Sequence, residues 1–290
     1  MFRRALVRRS RSLSRDLPWI NDPRPWAVLV SEVMLQQTST SRVLDPWRRF
    51  MERFPTPSSC AAASLADVLA VWRGLGYPRR AKALHETARI LRDEYHDVVP
   101  SDVETLRQLP GVGDYTSAAV ASFAYGEAVA VLDTNVGRVL SRAIANRRLR
   151  PSEARTLAHE LLPRVNAAAF NQSMLDLGAQ FCRATPRCEV CPLAKHCRWR
   201  QEGGEDPAPL SAAVSRRQSP FEGSNRQLRG RVLSALVDRP HTRHDLSTVL
   251  IDIESSRADE VLAGLLKDGL IARRSTVYSL PDSPEKMLDR

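Results

Sequence analysis

Along the first 200 or so residues, apolar side chains recur at helical spacing: Leu65, Val68, Leu69 and Trp72 share one face, and Leu157, Leu161, Leu162 and Val165 share another. Pro and Gly interrupt the pattern at Phe54-Pro55-Thr56-Pro57 and Gly74-Leu75-Gly76, so a succession of helices with short turns is expected and few strands. From Trp26 to Leu35 the pattern is apolar nearly all round, broken only by Ser31 and Glu32, which predicts a buried helix. Gln201 to Ser224 is rich in Gly, Pro, Ser and charge and reads as a linker between a domain of residues 1–200 and a module of 225–281. In that module Leu228, Val232, Leu233 and Leu236 form a helical face. Thr242 caps a short helix, Ser255-Ser256 cap another that stops at Gly269, and 270–273 and 276–280 read as two strands. Three helices and a hairpin predict a winged-helix-like module, whose other use is as a dimerisation or packing unit, and whose partner the sequence leaves open. Residues 282–290 are expected to be a disordered tail.

The chain has 290 residues with a formal charge of +10, which favours a polyanionic partner through counterion release. No apolar run approaches the ~20 residues a membrane span needs. The first fifteen residues carry Arg and Ser and no acid; they imitate a presequence, and we read them as a basic first helix. A cytoplasmic, nucleoid-associated protein of bacterial type is expected, monomeric and without a membrane partner, with its five cysteines as thiols or metal ligands.

Four of those cysteines, Cys182, Cys188, Cys191 and Cys197, fall within sixteen residues as C-x5-C-x2-C-x5-C. Thiolates so close together repel unless a metal neutralises them. Zinc knuckles pair ligands closely, as only Cys188 and Cys191 are paired here; the wider steps suit an iron–sulfur cubane, and spacing alone leaves both open. Arg183, Arg187, Lys195, Arg198 and Arg200 surround the ligands, either against a phosphate backbone or to offset cluster charge. Cys60 reads as a buried small residue.

Leu109-Pro110-Gly111-Val112-Gly113 separates two helical stretches and reads as a helix-hairpin-helix, whose backbone amides and helix N-terminus can hold a phosphate; an ordinary helical turn is the alternative. Asp114 places a negative charge beside that phosphate. Two acids stand out. Glu32, on the all-apolar helix, is expected to be buried with a raised pKa. Asp133 follows Ala128-Val129-Ala130-Val131-Leu132 and precedes a helix, so it reads as an N-cap held in its anionic form, or simply as a cap. Two acids whose settings drive their pKa values apart are the makings of an acid and its electrostatic partner.

Ser31 to Thr38 (SEVMLQQT), Gly74-Leu75-Gly76-Tyr77, the hairpin, Asp133-Thr134-Asn135 and Phe170 to Gly178 (FNQSMLDLG) together closely resemble MutY-type adenine DNA glycosylases, relatives of endonuclease III. The resemblance implies a mainly α helix-hairpin-helix DNA glycosylase fold, with a six-helix domain and a 4Fe-4S cluster on the four cysteines. It implies double-stranded DNA with an adenine mismatch as substrate, and a flipped-out adenine. Glu32 would protonate the base and then activate water, Asp133 would stabilise the oxocarbenium sugar, and Asn135 would orient Asp133. Tyr115 stands where bifunctional relatives carry the lyase lysine, so a monofunctional hydrolase is implied. Gln36, Gln37, Thr38, Tyr77, Leu109, Gly111, Val112 and Gly113 would contact DNA, with Gln37 and Tyr77 wedged into the stack. Three departures are visible. The family's C-x6-C opening is C-x5-C, the tyrosine often found after Tyr77 is Pro78, and a winged-helix-like module is expected where the family carries a Nudix-like domain that inspects 8-oxoguanine. The rival readings are a T·G mismatch glycosylase of the same superfamily and a non-catalytic DNA-binding iron–sulfur regulator.

Overall fold

The computed structural model describes residues 1–214 and 220–281; part of the expected linker (215–219) and the whole expected tail (282–290) lie outside the described residues. Its chain forms two compact units, and neither is continuous in sequence. Among the described residues no helix is long and apolar enough to cross a membrane.

One unit gathers Met1–Val28, Ser101–Arg107 and the chain from Val112 to the linker. Its central helix, Ala167–Gln180, packs against Thr134–Val139 and against the N-terminal helices Phe2–Arg8 and Ser10–Leu13. The basic first helix is real and amphipathic: Phe2, Ala5 and Leu6 are buried while Arg3, Arg4 and Arg8 face water. This unit is discontinuous, because the first 28 residues return to the helices that follow residue 112. Gly178 lets the central helix approach Thr134–Val139; a β-carbon there would lie 2.6 Å from the Asn135 Cβ. Asn171 fixes the extended strip before Asp133, donating from Nδ2 to Val129 O (2.8 Å) and to Ser122 Oγ (2.9 Å). Arg15 Nε reaches the buried Asp176 carboxylate at 2.6 Å.

The other unit comprises Leu29–Pro100, Gln108–Gly111 and the residues beyond the linker. Helices Thr40–Arg53, Pro57–Ala62, Leu65–Val71 and Arg79–Tyr95 close over Phe50, which meets Phe54 and Trp72 edge-on. Cys60 is fully buried here and its thiol is pushed up to about 12, the behaviour of an inert core residue. The C-terminal residues run helix Asn225–Asp238, strand β1 His241–Thr242, helices Arg243–Val249 and Ser255–Lys267, then β2 Ala272–Arg274 and β3 Val277–Ser279, with antiparallel sheet order β1-β3-β2. This is the element order of a winged helix, and its first helix packs on Leu65–Val71 rather than standing apart.

Three local expectations change. Val165 is exposed and not part of a helical face, because Pro163 forces Leu162 into extended backbone and the helix ends at Leu161. Ser255 and Ser256 do not cap their helix; they lie inside it, and the N-cap position belongs to Glu254. The first half of the expected linker is anchored: Asp206 binds Arg142, Ala208 and Ser211 are buried, and Ala212 N donates to Leu149 O.

Candidate active site

The helix Pro25–Leu35 carries Glu32, which is 5% exposed among Leu29, Val30, Val33 and Met34, all buried, as the apolar pattern required. Immediately after it the chain turns through Gln37, exposed and in the left-handed region at φ 55°. Tyr77, on the Gly-Leu-Gly-Tyr turn, shares that backbone state at φ 49°. Non-glycine residues hold such a conformation only when their surroundings over-determine it.

Arg80 supplies those surroundings. Its Nη1 donates to Val33 O (3.0 Å), Met34 O (2.8 Å) and Gln36 O (2.5 Å), and its Nη2 to Leu75 O (3.3 Å), Gly76 O (3.0 Å) and Thr38 Oγ1 (3.0 Å). One guanidinium thus ties the Gln37 turn to the Tyr77 turn while lying 5.3 Å from the Tyr77 ring centre. Burial pulls its pKa down to about 10. Sequence pattern gave no sign of this residue, since a second Arg after Gly-Tyr-Pro-Arg looks like solvated charge.

The same contacts give two of the expected DNA-contacting residues partners inside the protein. Gln36 is half-buried and its Nε2 donates to Gly111 O (3.1 Å), and Thr38 accepts from Arg80, so both brace the turns. On these two turns Gln37 is exposed and Tyr77 is half-buried, its ring beside Arg80.

Within the hairpin, Leu109 and Val112 are buried, so their side chains are core and only their backbone can meet a phosphate. Gly111 sits at φ +76°, and a β-carbon there would meet Ala83 Cβ at 2.9 Å. Thr87 Oγ1 holds Pro110 O at 2.9 Å. Gly113 is the N-cap of helix Asp114–Tyr125, its φ is ordinary, and the space beside it is open. First-turn amides of a helix have no intrahelical partner, so such an N-terminus is electrostatically suited to an anion. Asp114 does not oppose an anion alone: Arg107 Nη2 pairs with it at 2.9 Å. Tyr115 occupies the first turn of the same helix and packs partly into the core of its unit.

Asp133 caps Thr134–Val139, accepting from Val136 N at 2.8 Å and from Asn135 Nδ2 at 2.6 Å. Its electrostatics differ from expectation. Burial outweighs those two bonds and the charge of Arg138, and the carboxyl lies above its ordinary range rather than below it. From Asp133 a polar chain continues: Arg138 Nη2 donates to Asn135 Oδ1 (2.6 Å) and its Nε to Cys182 O (2.7 Å).

Cys182 opens the cysteine loop. All four cysteines line one largely apolar cavity with Val139, Leu177 and Trp199. Yet among the described residues no three Cys, His, Asp or Glu side chains gather closely enough for one metal ion. Four cysteines around one apolar space are the donor set that a metal centre requires. Arg142 frames the loop. Its Nη1 reaches Cys182 Sγ (3.6 Å) and Arg183 O (2.6 Å), its Nη2 reaches Ala184 O (3.1 Å), and Asp206 accepts from both Nε and Nη2. Of the basic residues around the loop, Arg198 and Arg200 are paired with Glu202 and Glu189. Sequence pattern did not single out Arg138 and Arg142 either. Their i, i+4 spacing among Val136, Val139, Leu140 and Ala143 was the available signal, since it puts both on a helix that is otherwise apolar.

Comparison with known proteins supports this picture. Residues 30–164 match the model of the HhH-GPD superfamily base excision DNA repair proteins. The chain is 48% identical over 267 residues to the adenine DNA glycosylase of Mycolicibacterium smegmatis, covering 89% of this chain and 88% of that protein. Among solved structures it is similar to a thermostable thymine-DNA glycosylase (TM-score 0.63, 26% identity, 69% of this chain and 95% of that one). It is also similar to endonuclease III trapped on DNA (TM-score 0.56, 28% identity, 62% and 85%). With a relative this similar along nearly the whole of both chains, and with the buried acid, the hairpin and the cysteine loop in place, the chain belongs to the adenine DNA glycosylases, base excision repair enzymes of the HhH-GPD superfamily.

Proposed function

We propose that this enzyme hydrolyses the N-glycosidic bond of adenine mispaired with 8-oxoguanine or guanine in double-stranded DNA, acting as a monomer in the cytoplasm and without lyase chemistry. The observation that carries the reading is Glu32, a buried acid on a helix with almost no polar face. The adenine is turned out of the stack, with Gln37 and Tyr77 filling the space it leaves and the hairpin amides of Val112 and Gly113 gripping backbone phosphate. Glu32 gives its proton to the base, the sugar–base bond breaks with its electron pair leaving on adenine, and an oxocarbenium ion remains. The Glu32 carboxylate then takes a proton from water as the hydroxide adds to the sugar carbon. Asp133 stabilises the cation. Its raised pKa in the DNA-free protein is compatible with this role, because a positive sugar beside it favours the anion. Asn135 holds the carboxylate in place. Tyr115 has no amine for a Schiff base, so strand cleavage is not expected.

Cys182, Cys188, Cys191 and Cys197 would hold a 4Fe-4S cluster, which when bound supplies a rigid brace for the basic loop rather than a reacting group. Purified protein should then be brown, with iron and sulfide in equal amounts; a colourless protein holding one zinc would overturn the assignment.

The deciding experiment offers duplexes bearing A·8-oxoG, A·G and T·G under single-turnover conditions. Adenine release from the first two is expected. Release of thymine alone, the activity named for the similar thymine-DNA glycosylase, would sink the proposal. Glu32→Gln should abolish release while duplex binding persists; unchanged turnover would remove Glu32 from the mechanism, and no base release by the unaltered protein would leave the DNA-binding regulator as the better reading.

A further inference from the structure

The C-terminal winged helix has no role assigned to it, yet it converges on the turn that carries Tyr77. Ahead of that turn, Arg73 Nη2 donates to Ser234 O (2.6 Å) and pairs with Asp238 (2.8 Å). Behind it, Arg79 Nε binds the Asp268 carboxylate (2.7 Å), which Arg229 also holds, and Lys82 Nζ donates to Asp268 O (2.8 Å). The Asp268 side chain is buried beneath Arg79 and Arg229, whereas the Arg73–Asp238 pair lies at the surface. At the centre, Arg226 reaches Tyr77 itself: its Nη1 donates to the phenolic oxygen at 2.7 Å, and its guanidinium carbon lies 5.6 Å from the ring centre. Pro78, standing where relatives often carry a second tyrosine, lines a small cavity against Gly230 and Leu233 of the module's first helix.

We infer that the C-terminal module is a positioning element for the intercalating side chain, and that Arg226 is its working residue, holding the Tyr77 ring in the orientation in which it enters the base stack. A tyrosine on a left-handed turn has a fixed backbone and a free rotor. Inserting it costs the entropy of that rotor unless a neighbour has already stopped it. Arg80 fixes the backbone on which the ring is mounted. Arg226 fixes the hydroxyl end, through one charge-assisted hydrogen bond and one cation–π contact. Two guanidiniums therefore set one phenol, one from the helical domain and one from the winged helix.

This inference rests on the reading of Tyr77 as a wedge, so the test separates the two. Full-length protein is mixed with a duplex carrying 2-aminopurine beside the mismatch, and the fluorescence rise on extrusion is followed together with single-turnover excision, affinity for matched duplex and melting temperature. Arg226→Ala should slow extrusion and excision about tenfold, the effect of removing one charge-assisted hydrogen bond to the ring, with matched-duplex affinity and melting temperature unchanged. Tyr77→Phe, which keeps the ring and removes the acceptor, should show most of the same slowing. In a Tyr77→Ala background, adding Arg226→Ala should change nothing further. An equal effect of Arg226→Ala with and without Tyr77 would overturn the inference, as would normal extrusion by Arg226→Ala when Tyr77→Ala is impaired. Normal extrusion by Tyr77→Ala would remove the wedge reading and this inference together.

Discussion

Arg80 and Arg142 do the same mechanical job in opposite electrostatic settings. Each is an arginine withdrawn from water whose planar fork gathers main-chain carbonyls from segments distant in sequence. Arg142 does so with a carboxylate: Asp206 accepts two of its bonds and Cys182 a third, and although burial opposes the charge, these partners hold its pKa above the ordinary value. Arg80 has only dipoles and aromatic rings. Its Nε is buried without a hydrogen-bond partner, and its pKa falls to about 10. A loop held by an ion pair is locked, whereas one held by dipoles around a poorly compensated charge is closer to letting go. The cysteine loop has the first kind of clamp and the Gln37 and Tyr77 turns have the second, which suits a scaffold in one case and, in the other, the side chains proposed to enter DNA.

The harshest way to probe the difference is Arg142→Met. It strips Asp206 of its partner and releases the carbonyls of Arg183 and Ala184 at once, and should cost about 3 kcal/mol in denaturant unfolding. A cost below that of the Arg80 variant would reverse the ranking of the two clamps. Arg80→Lys keeps the charge but cannot reach six acceptors with one ammonium, so stability should fall by about 2 kcal/mol, and mismatch extrusion should suffer more than matched-duplex affinity. Equal impairment in both DNA measurements would show that Arg80 supports the fold without tuning the wedge.

Asn135→Ala acts on catalysis more than on folding. It removes a bond that lowers the Asp133 pKa, already raised by burial, so the carboxyl should stay protonated to a still higher pH. The acid limb of the single-turnover pH profile should move upward, with activity lost first at low pH and recovered as pH rises past the new value. A limb that stays in place, or moves downward, would separate Asp133 from that limb. Smallest of all, Arg200→Ala removes only an exposed pair with Glu189 and should leave the unfolding midpoint unchanged.

Much of the chemistry was legible in the chain of residues itself. Glu32 could be placed inside because an all-apolar helix offers it nowhere else to go, and the Asp133 cap follows from a short acid at the start of a helix. The four cysteines announce a site by number and nearness. What local pattern leaves open has a common cause. Leu109 and Val112 have buried side chains and Gln36 and Thr38 have partners inside the protein, and the motif does not say which of their atoms face outward. The sign of the Asp133 shift depended on how much solvent the fold removes from it, a quantity with no local signature.

Local pattern alone therefore determined most of the helices, the Asp133 and Thr242 caps and the hairpin, because each depends on residues within a few positions of one another. Only tertiary structure decided the arginines. Arg80, Arg138, Arg142 and Arg226 take their meaning from carbonyls, a thiol and a phenol brought from 4 to 149 residues away. Nothing in a stretch of sequence records where a long charged side chain will find its partners.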